Sequence, residues 1–345
     1  MTGWAGDRWN CLTESDMNER FHGKILLFGE YTVITGSQAL VIPLRNFSGC
    51  LRVPAGGGDN PAAAASNREL VRFFTYLAGG RQPREGRFRV RAEESTVSRV
   101  QVLAPDSLDL ERMGRELDRG MYFDSSIPQG YGAGSSAALV AAVYHEFASG
   151  KIPASNRVKE DLPALRNIFS RMESKFHGTS SGIDPVCCYT GQPVLADGSS
   201  VAVVRVPEPG KGSRFFLLDT GIRVETGPLV TEYRRKMADD HAFASMLGNC
   251  LVPLVRACIA DLFAGRHEAL AAALRKLSRC QLENFRPMIP EPIGELWRRG
   301  LEANTYTLKL CGSGGGGFYL GYAEDWKNIV PGLEKTGMGI LPLEL

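Results

Sequence analysis

The chain has 345 residues, 43% of them apolar and 23% charged, with a formal net charge of +2. That length accommodates a large core and two domains, and the near balance of charge excludes a protein whose main work is neutralising nucleic acid. No apolar run approaches the ~18 residues of a membrane span, and the opening "MTGWAGDRWNCLTESDMNER" lacks the apolar centre of an export signal, so a cytoplasmic protein with no nucleic-acid or membrane partner is expected.

Residues 1–20 read as a polar, loosely ordered lead-in. In "GKILLFGEYTVITGSQALVIPL", Ile25–Phe28 form a short buried strand and Gly29 breaks it. Thr32, Val33 and Ile34 then resume β character, Gly36 turns the chain, and Ala39–Leu44 make a second strand of a hairpin-like opening. "VPAGGGDNPAAAASN" reads as a surface loop, "RELVRFFTYLAG" as a helix, and "RFRVRAEESTV" and "RVQVLAP" as further strands. A helix is predicted over Ser135–Ala148 and another over Lys159–Lys175, with Leu162, Leu165, Phe169 and Met172 on one stripe. "FHGTSSGIDPVCCYTG" is a polar turn entering an apolar segment, "RFFLLDTG" a strand, and residues 228–283 a series of helices. "YTLKLCGSGGGGFYLGY" is strand, glycine loop, strand, and "MGILPLEL" supplies a last strand. The pattern is that of an α+β protein with two lobes. Eight cysteines scatter without a C-x-x-C pair and the five histidines do not join them, so reduced thiols are expected rather than disulfides or zinc.

The chemistry concentrates at "SSIPQGYGAGSSAALVAAVYHEF". It departs from G-x-G-x-x-G, because Ser135 stands at the last glycine, and from the P-loop, because no Lys or Arg occurs between Gly120 and Gly150. An anion held here is therefore held by backbone. Glycines let successive N–H groups turn inward, Ser135 or Ser136 can cap the following helix, and the helix dipole adds roughly half a positive charge at its N-terminus. A phosphate chain across Gly130–Ser136 is physically reasonable, although glycine-rich turns before helices are common without one.

A phosphoryl-transfer site also needs a metal ligand, a group to take the acceptor's proton, and a cation. Glu173, one turn beyond Phe169, lies at the buried edge of its helix and wants a partner, which a metal would supply. Asp184, in "SSGIDP", stands where a polar turn meets an apolar segment; such a residue is more often a turn former than a reactive group. Lys24 heads a buried strand, where a snorkelling lysine is the plainer reading. Gly312–Gly317 hold five glycines in six positions, more than a hairpin needs, so a second backbone or a ligand comes close.

Taken together, these segments resemble the GHMP small-molecule kinases, and among them the mevalonate kinases, over Phe21–Tyr322. "GKILLFGEYTVITG" is similar to the family's N-terminal motif, "PQGYGAGSSAA" to its ATP loop and "KLCGSGGGG" to its C-terminal glycine motif. "MESKFHGTSSGIDP" and "LLDTGIRVETGPLV" resemble mevalonate-kinase segments, and "FDSSIPQGYG" resembles a divergent branch of the Bacteroidetes type.

The resemblance implies a two-lobed fold: a ribosomal-S5-like N-terminal lobe over 21–210 and a ferredoxin-like C-terminal lobe over 211–345. It implies ATP and magnesium as cofactors, with Pro128, Gly130, Gly132, Ala133, Gly134, Ser135, Ser136 and Ala137 around the nucleotide. It implies Ser136 and Glu173 as magnesium ligands, Asp184 as base or orienting group, and Lys24 beside both Asp184 and the acceptor hydroxyl. Glu30, His177, Thr220, Thr226, Gly312, Ser313 and Gly314 are implied for the acceptor pocket. The implied reaction moves the γ-phosphoryl group of ATP to the primary hydroxyl of mevalonate; phosphomevalonate, a sugar or an amino-alcohol are the alternative acceptors, and a ligand sensor without turnover is a remote one. A homodimer is left open. The sequence departs from the family pattern at Tyr31, where a histidine is common, at Ser180, where proline is usual, and at Cys311, where threonine is common. Gly-Glu-Tyr also resembles phosphomevalonate kinases, and a phosphorylated acceptor would call for added cations, with Arg223 and Lys175 the nearest candidates.

Overall fold

The computed structural model describes residues 17, 19–54, 60–79, 108–154, 161–224 and 226–345. The strands expected in "RFRVRAEESTV" and "RVQVLAP" fall outside the described residues, as does most of the lead-in.

Two antiparallel sheets organise the chain. The first contains β1 (Phe21–Phe28), β2 (Ala39–Arg52), β3 (Tyr122–Ser125), β4 (Val194–Asp197) and β5 (Ser200–Val203). The long β2 is its spine. Its first half pairs with β1 and β4, and its second half pairs with β3. The expected hairpin-like opening is thus present, but the strand beginning at Ala39 runs on to Arg52. Thr32–Thr35 form a 3-10 turn and not a strand. Their β-branched side chains suggested strand, but the left-handed Gly36 closes the turn by donating its N–H to the Val33 carbonyl.

The second sheet has the order β7 (Tyr306–Leu310), β8 (Phe318–Ala323), β6 (Arg214–Asp219), β9 (Gly339–Pro342). All strands of the first sheet precede residue 204 and all strands of the second follow residue 213.

Eleven helices occur among the described residues. α1 (Pro61–Leu77) begins earlier than its apolar spacing suggested. Asn60 caps it by accepting from the Ala62 and Ala63 N–H groups, and Pro61 occupies the first turn, so "PAAAASN" is helix and not loop. α2 (Leu110–Asp118) leads to β3. α3 (Ser135–Phe147) is buried along most of its length, as its unbroken apolar sequence requires, and packs on β1, β2 and α5 (Ile183–Thr190). α4 (Leu162–His177) buries the stripe Leu162, Leu165, Phe169 and Met172, each at most 1% exposed.

α6 (Thr226–Asp239), α7 (His241–Met246), α8 (Val252–Phe263) and α9 (His267–Asn284) form the expected helical stretch, followed by α10 (Glu291–Glu302) and α11 (Trp326–Glu334). A π-helical turn, Leu247–Leu251, joins α7 to α8. The resulting helical run, His241–Phe263, is long and apolar enough by composition to cross a membrane. It also carries Arg256 and Asp261, ion-paired with Asp197 and Arg266, and packs on α9.

Candidate active site

The first glycine run is shaped by three left-handed residues. Gly130, Gly132 and Gly134 have φ of 76°, 70° and 82°, a region closed to most side chains, so alternation of glycine is what lets the chain fold back on itself before α3. The helix is capped by Gly134 and not by Ser135 or Ser136, which occupy its first turn. β1 lies against this loop. The Lys24 N–H donates to the Ala133 carbonyl at 2.9 Å, covering a donor on the edge strand. A Cβ on Gly23 would stand 2.7 Å from that same carbonyl, which explains a glycine beside the lysine.

The second glycine run packs on the first. A Cβ built on Gly132 would meet Gly312 Cα at 3.5 Å, and one on Gly317 would meet Tyr131 Cα at 2.6 Å. The expectation that another backbone comes close to Gly312–Gly317 is therefore met by the first loop itself. The 220–224 loop completes the arrangement. Thr220 donates through N–H and Oγ1 to the Gly317 carbonyl, at 3.1 and 2.9 Å, and the Gly317 N–H donates to the Ile222 carbonyl at 2.7 Å. The Val224 N–H reaches the Gly130 carbonyl at 3.4 Å.

Beside these loops three charged groups come together from three elements. Lys24 arrives on β1, Glu173 on α4 and Asp184 in the first turn of α5. Lys24 Nζ lies 2.7 Å from Asp184 Oδ2. Lys24 and Glu173 are buried, at 7% and 4% exposure, whereas the Asp184 side chain keeps 31% of its surface open. α5 can bring Asp184 here because Gly182, at φ 72°, sits against α4, where a Cβ would collide with the Arg166 carbonyl at 2.2 Å.

The electrostatics follow from burial and contact. Burial alone would lower the Lys24 ammonium, but the Asp184 carboxylate outweighs that and holds it above its ordinary value. Burial and the neighbouring Asp184 charge push the Glu173 carboxyl up to about 8, opposed by the Ser180 hydroxyl and Lys24. Ser180 Oγ donates to Glu173 Oε2 and accepts from the Gly182 N–H at 3.0 Å. Ser180 thus links the two carboxylate-bearing helices, a role that its place in a serine-rich turn did not announce. Lys24 is ion-paired with Asp184, and an added cation beside Glu173 would favour its ionised form.

The remaining expected residues are distributed differently. Thr220 is tied to the second glycine run. Glu30 is sealed in the interior at 1% exposure, ion-paired with Lys309 between the two sheets. Ser313 offers its carbonyl to the Tyr31 hydroxyl at 2.6 Å. The side chains of His177 and Thr226 lie outside the described residues. Arg223 is exposed on the loop that meets Gly130, and Lys175 is exposed on α4.

Residues 106–192 match the family model described as GHMP kinases N terminal domain. That span contains the first glycine run, Glu173 and Asp184. Mevalonate kinase from Archaeoglobus fulgidus is 27% identical over 327 residues, covering 92% of this chain and 97% of the relative. Among solved structures, L. major mevalonate kinase in complex with R-mevalonate superposes with a TM-score of 0.58 at 18% identity, covering 92% of this chain and 90% of that one. Streptococcus pneumoniae phosphomevalonate kinase in complex with phosphomevalonate and AMPPNP gives 0.55 at 14% identity, covering 94% and 99%. At such identities the two structures speak to the fold. Matched in its N-terminal glycine-loop region and similar end to end to a curated mevalonate kinase, the chain resembles the GHMP kinases, phosphotransferases with an alcohol acceptor.

Proposed function

We propose that the protein is an ATP-dependent mevalonate kinase, with the first glycine run holding the nucleotide and the second beside the acceptor, between two lobes that divide near residue 210. The observation that carries the chemistry is the contact between Lys24 and Asp184 beside the first glycine run. The similarity to a full-length mevalonate kinase supports the acceptor.

In this reading the acceptor hydroxyl lies against Asp184, whose partly open carboxylate accepts its hydrogen bond and takes its proton as the oxygen attacks. Lys24 Nζ stabilises the negative charge developing on that oxygen and orients Asp184. The backbone N–H groups of Gly130–Ser136 and the α3 N-terminus receive the phosphate chain. The γ-phosphoryl group passes in line to the acceptor oxygen as its bond to the bridging oxygen breaks and ADP leaves, and the closely packed glycine runs keep water out.

Glu173 and Ser136 would hold magnesium. The fit rests on the donor set: a carboxyl driven towards its neutral form first by burial and then by the Asp184 carboxylate is a site where an added cation lowers the energy. Among the described residues no three His, Cys, Asp or Glu side chains converge, which suits an ion that keeps phosphate oxygens and water in its shell. When bound, the ion neutralises phosphate charge in the transferring group.

Phosphomevalonate is the second reading, favoured by the exposed Arg223 on the loop that touches Gly130. A coupled assay of magnesium-dependent ADP release across mevalonate, phosphomevalonate and a few sugars decides between them. Turnover highest with mevalonate is expected; turnover confined to another acceptor overturns the assignment.

A further inference from the structure

Glu30 and Lys309 are among the most enclosed charged groups in the molecule, with side chains 0% and 3% exposed. They are 279 positions apart and come from different sheets: Glu30 follows β1, and Lys309 lies in β7. Lys309 Nζ donates to Glu30 Oε1 and to the Leu310 carbonyl, and stands 5.8 Å from the centre of the Phe28 ring. The Leu310 N–H in turn donates to Gln281 Oε1 at 2.9 Å. Enclosed in this way, Glu30 cannot meet an acceptor; whatever it does, it does through Lys309.

A buried ion pair is weak evidence for stability, because two apolar side chains of the same size often serve as well. What the pair does supply is register. Either charge left without the other would be costly away from water, so the pair favours the alignment of β1 and β7 in which the two meet.

Tyr31 reports the same link independently. It is one of two non-glycine residues with positive φ among the described residues, at 61°. A large side chain in that conformation is strained, and its surroundings must hold it there. Its ring lies 4.5 Å from Tyr233 and 5.3 Å from Phe285, and its hydroxyl donates to the Ser313 carbonyl at 2.6 Å. Two consecutive residues after β1 therefore grip Lys309–Ser313, the segment that leads into the second glycine run.

We infer that Glu30, Tyr31 and Lys309 are positioning residues, a clamp that holds the Lys24–Asp184 centre in register with Gly312–Gly317. The role rests on the kinase reading given above. The clamp acts on transfer: a displacement of about 1 Å between reacting groups lowers turnover by as much as a hundredfold, whereas each substrate can still bind its own loop. It also gives Tyr31, which stands where histidine is common in the family, a task inside the protein and not at the acceptor.

The test uses two variants of the full chain. Tyr31→Phe removes one hydroxyl and keeps the ring packing; Glu30→Met/Lys309→Met replaces the pair with apolar groups of similar size. Amide hydrogen exchange in the 311–317 segment is read beside kcat and KM for ATP. In Tyr31→Phe, exchange in 311–317 is expected to rise at least about threefold with β2 unchanged, and kcat to fall about tenfold at nearly constant KM. The double variant is expected to fold and to show the same signature; if it fails to fold, Tyr31→Phe decides. Exchange or kcat within about twofold of the unmodified protein in Tyr31→Phe overturns the clamp. Should the unmodified protein phosphorylate none of the acceptors, the kinase reading fails, and exchange alone then decides the clamp.

Discussion

Lys24 Nζ and Asp184 Oδ2 stand 2.7 Å apart, one on an edge strand and the other in the first turn of a helix. The ammonium has little water around it and owes its charge to the carboxylate, so Asp184 holds Lys24 in its working state. Substituting Asp184→Asn removes the proton acceptor and is expected to lower kcat by about 10²–10⁴. Lys24→Met removes the charge facing the developing alkoxide and is expected to lower it by about 10²–10³. Combining them should cost far less than the product of the two losses, because they act as a unit. Near-normal turnover in either single variant would show that the roles are misassigned.

Glu173 makes the nucleotide-free protein sensitive to pH. Its carboxyl is raised in the fold to about 8, so the native state binds the proton more tightly than the unfolded chain does. Its protonated form therefore supports the fold fully below the unfolded carboxyl range, and that support is lost as pH rises through about 8. The loss can reach about 1.4 kcal/mol per pH unit. Thermal melts of Glu173→Gln should lack this decline and give the more stable protein at pH 8. Turnover of the same variant should be nearly abolished. A steeper alkaline decline in the variant than in the unmodified protein would sink the argument.

Ser180 is the hydroxyl donor to the buried Glu173 carboxylate. Ser180→Ala removes a hydrogen bond that favours the ionised carboxyl, worth about 1.5–3 kcal/mol in that form and about 0.5–1.5 kcal/mol in the neutral one. The pH at which stability is lost should move upward, and more magnesium should be needed for half-maximal turnover. Unchanged magnesium dependence and an unchanged melting profile would mean that Ser180 is a turn residue only.

Gly134 and Gly36 share nearly the same backbone, with φ of 82° and 79°, but differ in surroundings. A Cβ on Gly36 meets nothing within 4 Å, whereas one on Gly134 falls 2.6 Å from Lys24 Cγ and 3.2 Å from the Lys24 backbone nitrogen. Alanine at either site should cost about 1–2 kcal/mol of left-handed strain. Only Gly134→Ala should also weaken nucleotide binding and turnover, by displacing Lys24. Equal activity in the two variants would separate Gly134 from the site.

Much of this was legible along the chain. Alternating glycines without a lysine specified a backbone-lined loop, and the structure places all three in the left-handed region. The apolar stripe of α4 put Glu173 at a buried edge, and the boundary between a polar turn and an apolar segment marked Asp184. Local patterns of this kind report conformation and burial, which neighbours in sequence determine. They are less secure where propensity and turn chemistry compete, as at Thr32–Thr35, where the carbonyl of Val33 and the left-handed Gly36 made a turn from a β-branched run.

What the sequence determined by itself was therefore the list of chemical groups and the backbone shapes that carry them. The tertiary structure decided their partners. Glu30, a candidate for the acceptor pocket by motif, is enclosed with Lys309, 279 residues away, and the Tyr31 hydroxyl meets Ser313, 282 residues away. Nothing local encodes such pairs. They exist because two sheets folded from distant parts of the chain bring Glu30 to Lys309 and the Tyr31 hydroxyl to the Ser313 carbonyl, in the segment that leads into the second glycine run.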